Sequence, residues 1–197
     1  MFIDPIDYLK TYKEAITKAM DSIKEEPYED AYNVLHRSAL LGKRVFVCGN
    51  GGSASIAEHF SCDHEKGVRT GTGLLPQVVS LSSNMAKITA IGNDMGFEHI
   101  FSTQLAFSNA NSDDTLVVVS SSGNSPNILK ALEHANRMRM RSIALVGFDG
   151  GEARNLADYV LHINSFNYGI VEDCHQIIMH SLAQALRVKF NTDRLKL

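Results

Sequence analysis

Apolar residues recur at three- and four-residue steps at Ile6, Leu9, Tyr12, Ile16, Met20 and Ile23, which predicts an amphipathic helix over about Pro5 to Lys24. Glu25-Glu26-Pro27 interrupts the pattern. A second helix is expected from about Tyr28 to Leu41, with Ala31, Val34, Leu35 and Leu41 as its apolar positions and Gly42 as its stop. Beyond Gly42 the pattern changes to short apolar runs: Val45 to Cys48, Val78 to Leu81, Leu116 to Val119, Ile143 to Val146 and Tyr159 to Leu161. They are β-branched and nearly continuous, as expected of parallel strands buried on both faces. Helical patterns fill the gaps, at about Ser53 to Glu65, Met85 to Ile91, Glu98 to Ala106, Pro126 to Met138 and Val171 to Phe190. This alternation predicts an α/β fold with a parallel sheet between helices. An all-helical bundle fits less well, because the five runs are too short for its helices. Residues 1–42 read as a helical extension and residues 43–197 as the α/β domain, forming one structural unit. Two helices are too few for a core of their own, so they are expected to pack on the α/β unit or on another subunit.

Composition narrows the function classes. The chain of 197 residues suits one domain with an extension, and its 44% hydrophobic content supplies a packed core. Lys+Arg 19 against Asp+Glu 22 gives a net charge of -3, which argues against an electrostatic nucleic-acid binder. No run of about 18 apolar residues predicts a membrane span. Met1 to Lys24 lacks a basic start followed by an apolar block, so no secretory signal is expected. Cys48, Cys62 and Cys174 are odd in number and widely spaced, which suits reduced thiols and a cytoplasmic setting.

Two strand-to-helix turns carry the candidate chemistry. Cys48-Gly49-Asn50-Gly51-Gly52-Ser53 follows the first strand, and Ser120-Ser121-Ser122-Gly123-Asn124-Ser125-Pro126 follows the third. The first lacks the spacing of a dinucleotide fingerprint and the Gly-Lys-Ser/Thr ending of a triphosphate loop. Glycines allow close backbone approach, and free amides at a helix start favour an anion. A tight connection without a ligand is the plain alternative for the first turn, and an N-cap cluster for the second. One serine would suffice for a cap, and here there are four. Both turns fall at the carboxyl ends of strands, where open α/β sheets bind ligands. A small phosphorylated ligand is the reading they favour together.

Gly49-Asn50-Gly51-Gly52-Ser53, Gly92-Asn93-Asp94 and Ser120 to Ser125, in this order and spacing, resemble the sugar isomerase (SIS) domain family. The likeness is closest to its sedoheptulose 7-phosphate isomerases (phosphoheptose isomerases) and spans nearly the whole chain. It implies a three-layer αβα sandwich with a five-stranded parallel sheet, and a homotetramer with active sites at subunit contacts. Ser120, Ser121, Ser122 and Ser125, with Ser53, would hold the sugar phosphate, and Asn50, Gly51, Gly52, Asn93 and Asp94 would line the sugar.

Candidate metal ligands lie on two helices. His59 and Asp63, four apart, share one helix face and could share a cation, although an exposed helix pair is the simpler reading of that spacing alone. Glu172, Gln176 and His180 follow at four-residue steps on the last helix. Glu172 and His180 would lie about 12 Å apart along an ideal axis, so both reach one ion only if they lean together or the chain near Glu172 is not helical. His175 reads as a packing histidine. The resemblance implies one zinc ion per subunit, held at His59, Asp63, Glu172 and His180. Asp63 stands where the family usually has glutamate, and Glu172 where it has glutamine. Gly169 matches an aspartate of the family pocket, and Lys66 or Arg69 matches a phosphate-assisting basic residue. These departures bear on the substrate more than on the chemistry.

The implied reaction converts sedoheptulose 7-phosphate to D-glycero-D-manno-heptose 7-phosphate through an enediol, for surface polysaccharide (lipopolysaccharide) synthesis. Asp63 and His180 would share the proton transfers, with His180 the better base because a zinc-bound carboxylate is a poorer one. Two readings compete with it. One is a non-catalytic relative that binds a protein partner, such as a replication initiator. The other is an isomerase or sensor of another sugar phosphate. The retained side chains at His59, Asp63, Glu172 and His180 favour an enzyme over the partner-binding reading.

Overall fold

The computed structural model describes residues 4–191. The ends of the two expected segments, residues 1–3 and 192–197, lie outside the described residues. Strands β1 (Arg44–Gly49), β2 (Gln77–Ser80), β3 (Thr115–Ser120), β4 (Arg141–Val146) and β5 (Tyr159–His162) form one parallel sheet in the order β2-β1-β3-β4-β5. Val45 lies opposite Val78 on one side and Thr115 on the other, and Thr115 aligns with Arg141. All five predicted runs are strands.

Alternation along the strands sorts their side chains into two cores. Val45, Val47, Val117, Val119, Ile143 and Leu145 face one layer of helices: α1 (Pro5–Met20), α2 (Glu25–Leu41), α3 (Gly52–Cys62) and α8 (Tyr168–Phe190). Phe46, Cys48, Leu116, Val118, Ala144 and Val146 face the other: α4 (Met85–Met95), α5 (Ser102–Phe107), α6 (Pro126–Met138) and α7 (Ala153–Leu156). Burial on both faces is why the strands read as unbroken apolar runs. The result is the expected αβα sandwich. Ala19, Ala31, Leu35 and Ala39 join the first core: α1 packs on α8, and α2 packs on the sheet. Ile6, Tyr8 and Leu9, on the remaining face of α1, stay exposed.

Several boundaries differ from the sequence expectation, each for a local reason. α2 starts at Glu25, not Tyr28, because Pro27 falls in its first turn, where a missing N–H costs nothing. α8 starts at Tyr168, not Val171, because the Asn167 side chain caps it by accepting from the amides of Gly169 and Ile170. α4 runs on to Met95 and takes in Gly92-Asn93-Asp94. The helix expected from Glu98 to Ala106 divides into a 3₁₀ turn, Phe97–His99, and α5. After Cys62, α3 widens into a π-helical turn at Asp63–Gly67.

Candidate active site at the carboxyl ends of the strands

β1 and β3 are neighbours, and the chain leaves them to opposite helix layers: α3 on one face and α6 on the other. That divergence opens a crevice at their carboxyl ends, the place where doubly wound sheets bind ligands. Both polar turns meet there. A cavity of about 130 Å³ is lined by Asn50, Ser53, Ser120, Ser121, Ser122, Ser125, Tyr168 and Glu172, with Val119 beneath them.

The serine turn leaves donors free for a ligand. Ser120 Oγ accepts from the Gly123 amide at 3.2 Å and Ser122 Oγ from the Asn124 amide at 3.3 Å, so these two shape the loop. The Ser121 hydroxyl is buried without a hydrogen-bond partner. Ser125 occupies the N-cap position of α6, yet its side chain caps nothing. A buried polar group is normally paired. An anion with several acceptor oxygens, bound at the start of α6, would satisfy both hydroxyls and suit the helix dipole.

The glycine turn brings α3 to the same crevice. Gly51, at φ +55°, ends the turn, and α3 begins at Gly52 with no side-chain cap. The Glu172 carboxylate lies directly against Gly52, and a Cβ there would fall on its oxygens. Glycine is thus required by close approach, and the carboxylate is placed where a helix start favours negative charge. Asn50 and Asn127 exchange two amide hydrogen bonds, each 2.8 Å, which lock the glycine turn to the first turn of α6. Ser82 bonds both the amide and the carbonyl of Gly49, at 3.1 and 2.9 Å. Neither Asn127 nor Ser82 stood out in the sequence, because a single polar residue after a helix start or strand carries no signal.

Beside this cavity lies a constellation able to hold a divalent cation. His59, Asp63 and His180 offer ligand atoms that all lie within 4.8 Å of one another. Asp63 spans the two rings, with Oδ1 3.5 Å from His59 Nε2 and Oδ2 3.4 Å from His180 Nε2. The two rings meet edge to face, with centroids 4.9 Å apart. Two nitrogens and a carboxylate suit zinc and other first-row divalent ions. The π-helical turn begins at Asp63, and such turns are frequent at functional sites.

Glu172 is not part of this cluster. α8 is helical from Tyr168, so the rise of about 12 Å between Glu172 and His180 stands, and the two point to different places. Gln176 stands at the cluster instead. Its Nε2 is 2.9 Å from His59 Nδ1 and 3.2 Å from His180 Nε2. The sequence held this in its i, i+4 spacing to His180. One face of α8 therefore serves both places: Glu172 the serine cavity, Gln176 and His180 the cluster.

Other predicted positions sit elsewhere. Asn93 and Asp94 are exposed in the last turn of α4, bonded to each other at 2.8 Å, and do not line the cavity. Lys66 and Arg69 are exposed and outside it as well. His175 is fully buried, as its packing reading requires, and burial pushes its pKa down to about 4. His64 stacks on Phe60 at 3.9 Å, and burial lowers its pKa to about 3. Both rings are neutral core groups. A larger cavity of about 360 Å³ lies at the amino-terminal edge of the sheet, but its lysine is already paired, Lys43 with Asp113 at 2.7 Å.

Residues 7–147 match the SIS domain family. A phosphoheptose isomerase from Helicobacter pylori is 34% identical over 182 residues, covering 91% of this chain and 92% of that protein. A phosphoheptose isomerase from Campylobacter concisus is 36% identical over 149 residues, covering 76% of this chain and 78% of that protein. The solved phosphoheptose isomerase of Francisella tularensis superposes with a TM-score of 0.83 at 32% identity, covering 93% of this chain and 98% of that one. That of Neisseria gonorrhoeae gives 0.82 at 29% identity, covering 92% and 95%.

Proposed function

This chain belongs to the SIS domain family, among the phosphoheptose isomerases, and is a sugar-phosphate isomerase; on that footing we propose that it interconverts sedoheptulose 7-phosphate and D-glycero-D-manno-heptose 7-phosphate through an enediol. One observation carries the reading: a single face of α8 joins a cavity fitted for phosphate to a cluster fitted for a divalent cation. The Ser121 and Ser125 hydroxyls and the start of α6 bind the phosphate, with Ser53, Ser120 and Ser122 completing the cradle. Asn50, Gly51 and Gly52 form the wall from which the sugar chain extends towards the cluster.

His59, Asp63 and His180, with the Gln176 amide as the fourth side chain, would hold zinc. The chemistry such an ion would supply is Lewis-acid polarisation of the substrate's carbonyl and hydroxyl. The chain's own residues move the protons. His180, in the form whose ring nitrogen is not committed to the metal, takes the proton from the carbon beside the carbonyl and returns it to the neighbouring carbon. Asp63, within 3.5 Å of both rings, fixes their orientation and receives or returns the proton that passes between the oxygens. Glu172 contacts the sugar from the cavity side.

Assembly as a homo-oligomer, a tetramer in the family's manner, is supported by the exposed Ile6, Tyr8 and Leu9 face of α1. Asn93 and Asp94, remote from this chain's own cavity, would then serve at a subunit contact. No described helix is long and apolar enough to cross a membrane. On the isomerase reading the enzyme works in the cytoplasm and supplies heptose phosphate for surface polysaccharide synthesis. The test is His180→Gln. Isomerisation of sedoheptulose 7-phosphate should be lost while phosphate binding, read by calorimetry, is kept; full activity in that variant refutes the assignment.

A further inference from the structure

Three aromatic rings stand together, and one of them, Tyr168, lines the serine cavity. Phe148 stacks on Phe166 with centroids 5.6 Å apart and planes within 7°, and meets Tyr168 edge to face at 4.7 Å. Phe166 is 75% exposed and Tyr168 60% exposed, yet Tyr168 lines the cavity that holds Ser120, Ser121 and Ser125. Large exposed apolar groups beside a polar pocket mark a place where something binds.

The placement of these rings is built in. Phe148 adopts φ +51°, a left-handed conformation that a bulky residue rarely takes. It is held there from both sides: its amide donates to the Ser165 carbonyl at 2.9 Å, and His162 Nε2 donates to its carbonyl at 2.9 Å. One residue earlier, the Gly147 amide donates to the Ser121 carbonyl at 2.9 Å. The ring that supports Phe166 and Tyr168 is therefore tied through the backbone to the serine turn itself.

We propose that Tyr168, backed by Phe148 and Phe166, is a specificity-determining wall that packs against the carbon chain of the bound sugar phosphate. The proposal rests on the isomerase reading above. The phosphate sits against the serines, and Tyr168, which lines the same cavity, meets the carbons nearest the phosphate as the chain sets out towards the cluster. C–H groups of a sugar are weakly positive and meet the negative face of an aromatic ring favourably. A polar side chain at this position could hydrogen-bond one hydroxyl; the ring instead covers several C–H groups at once. The wall thus favours a long sugar phosphate over inorganic phosphate, which reaches only the serines.

The experiment compares Tyr168→Ala, Tyr168→Phe and Phe166→Ala with the unaltered full chain. Calorimetry measures binding of sedoheptulose 7-phosphate and, separately, of inorganic phosphate. The expected result is sugar-phosphate binding weakened about ten-fold in Tyr168→Ala, inorganic phosphate binding unchanged, and near-full recovery in Tyr168→Phe. Phe166→Ala should show a smaller loss of the same kind. Equal weakening of both ligands would make Tyr168 a support of the serine turn and overturn the proposal, as would no change in either. Dissociation of an oligomer in Tyr168→Ala, seen by sedimentation, would assign the rings to a subunit contact and also overturn it. If the unaltered protein binds inorganic phosphate but no sugar phosphate, the isomerase reading itself fails, and the wall with it.

Discussion

Lowering the pH should unfold this protein through a histidine that takes no part in the chemistry. His175 is fully buried in α8, and neither ring nitrogen makes a well-formed hydrogen bond. Burial lowers its pKa from 6.5 to about 4, with the nearby Val146 backbone offsetting a part of the shift. Because the folded-state pKa is depressed, the unfolded chain takes up the proton first. The neutral ring therefore contributes its full stability above pH 6.5 and loses it as the pH falls towards 4. At pH 5 the unfolded state is favoured by about 1.5 pH units of linkage, which is about 2 kcal/mol for this one group. His64, buried against Phe60 with its pKa near 3, adds about as much at that pH. The assay is urea unfolding at pH 7.5 and pH 5.0, at one protein concentration, for the unaltered chain and for His175→Leu, which keeps the site filled. The unaltered protein should lose about 2 kcal/mol more than the variant between the two pH values. An equal loss in both would show that the ring is protonated in the folded state and would refute the reasoning.

Other outcomes follow from the same geometry. Asp114→Ala should destabilise the fold by about 3 kcal/mol in urea unfolding, because Arg44 loses two hydrogen bonds to a carboxylate only 4% exposed; the figure is below that of a fully buried pair since the Arg44 side chain is 31% exposed. A loss under 1 kcal/mol would contradict it. Gln176→Leu should weaken zinc binding about ten-fold in competition with a chelator, while Glu172→Gln leaves that affinity unchanged; the reverse order would return Glu172 to the metal. Gly52→Ala should push the Glu172 carboxylate out of the cavity, altering KM for the sugar phosphate with metal affinity intact. Unaltered KM would show that Glu172 does not meet the sugar.

The architecture was legible because it rests on burial. Val117 and Val119 face one core and Leu116 and Val118 the other, and a strand apolar on both faces has few alternatives. The turns were legible because Gly51, Gly52 and the serines are residue types that a plain connection does not need. What stayed hidden depends on single turns of helix. Glu172 and Gln176 both lie on the face of His180, and only the cap at Asn167, which makes α8 helical from Tyr168, decides which of them reaches the cluster. The π-helical turn at Asp63 leaves no trace in apolar spacing, since His64 is buried as an apolar residue would be. Tyr12 gives a third case. Its periodicity marks it as a core residue of α1, yet its hydroxyl donates to Asp173 at 2.8 Å and fills the space beside Gly169. A contact between helices so far apart in sequence is not written in either one.

Metal-dependent isomerisation is decided by turnover of sedoheptulose 7-phosphate by the purified protein, with and without a chelator, followed by NMR for an aldose anomeric proton. Conversion should stop when the metal is removed and return when zinc is restored. Conversion that is indifferent to chelation, or no conversion by zinc-loaded protein that binds the sugar phosphate, would contradict it.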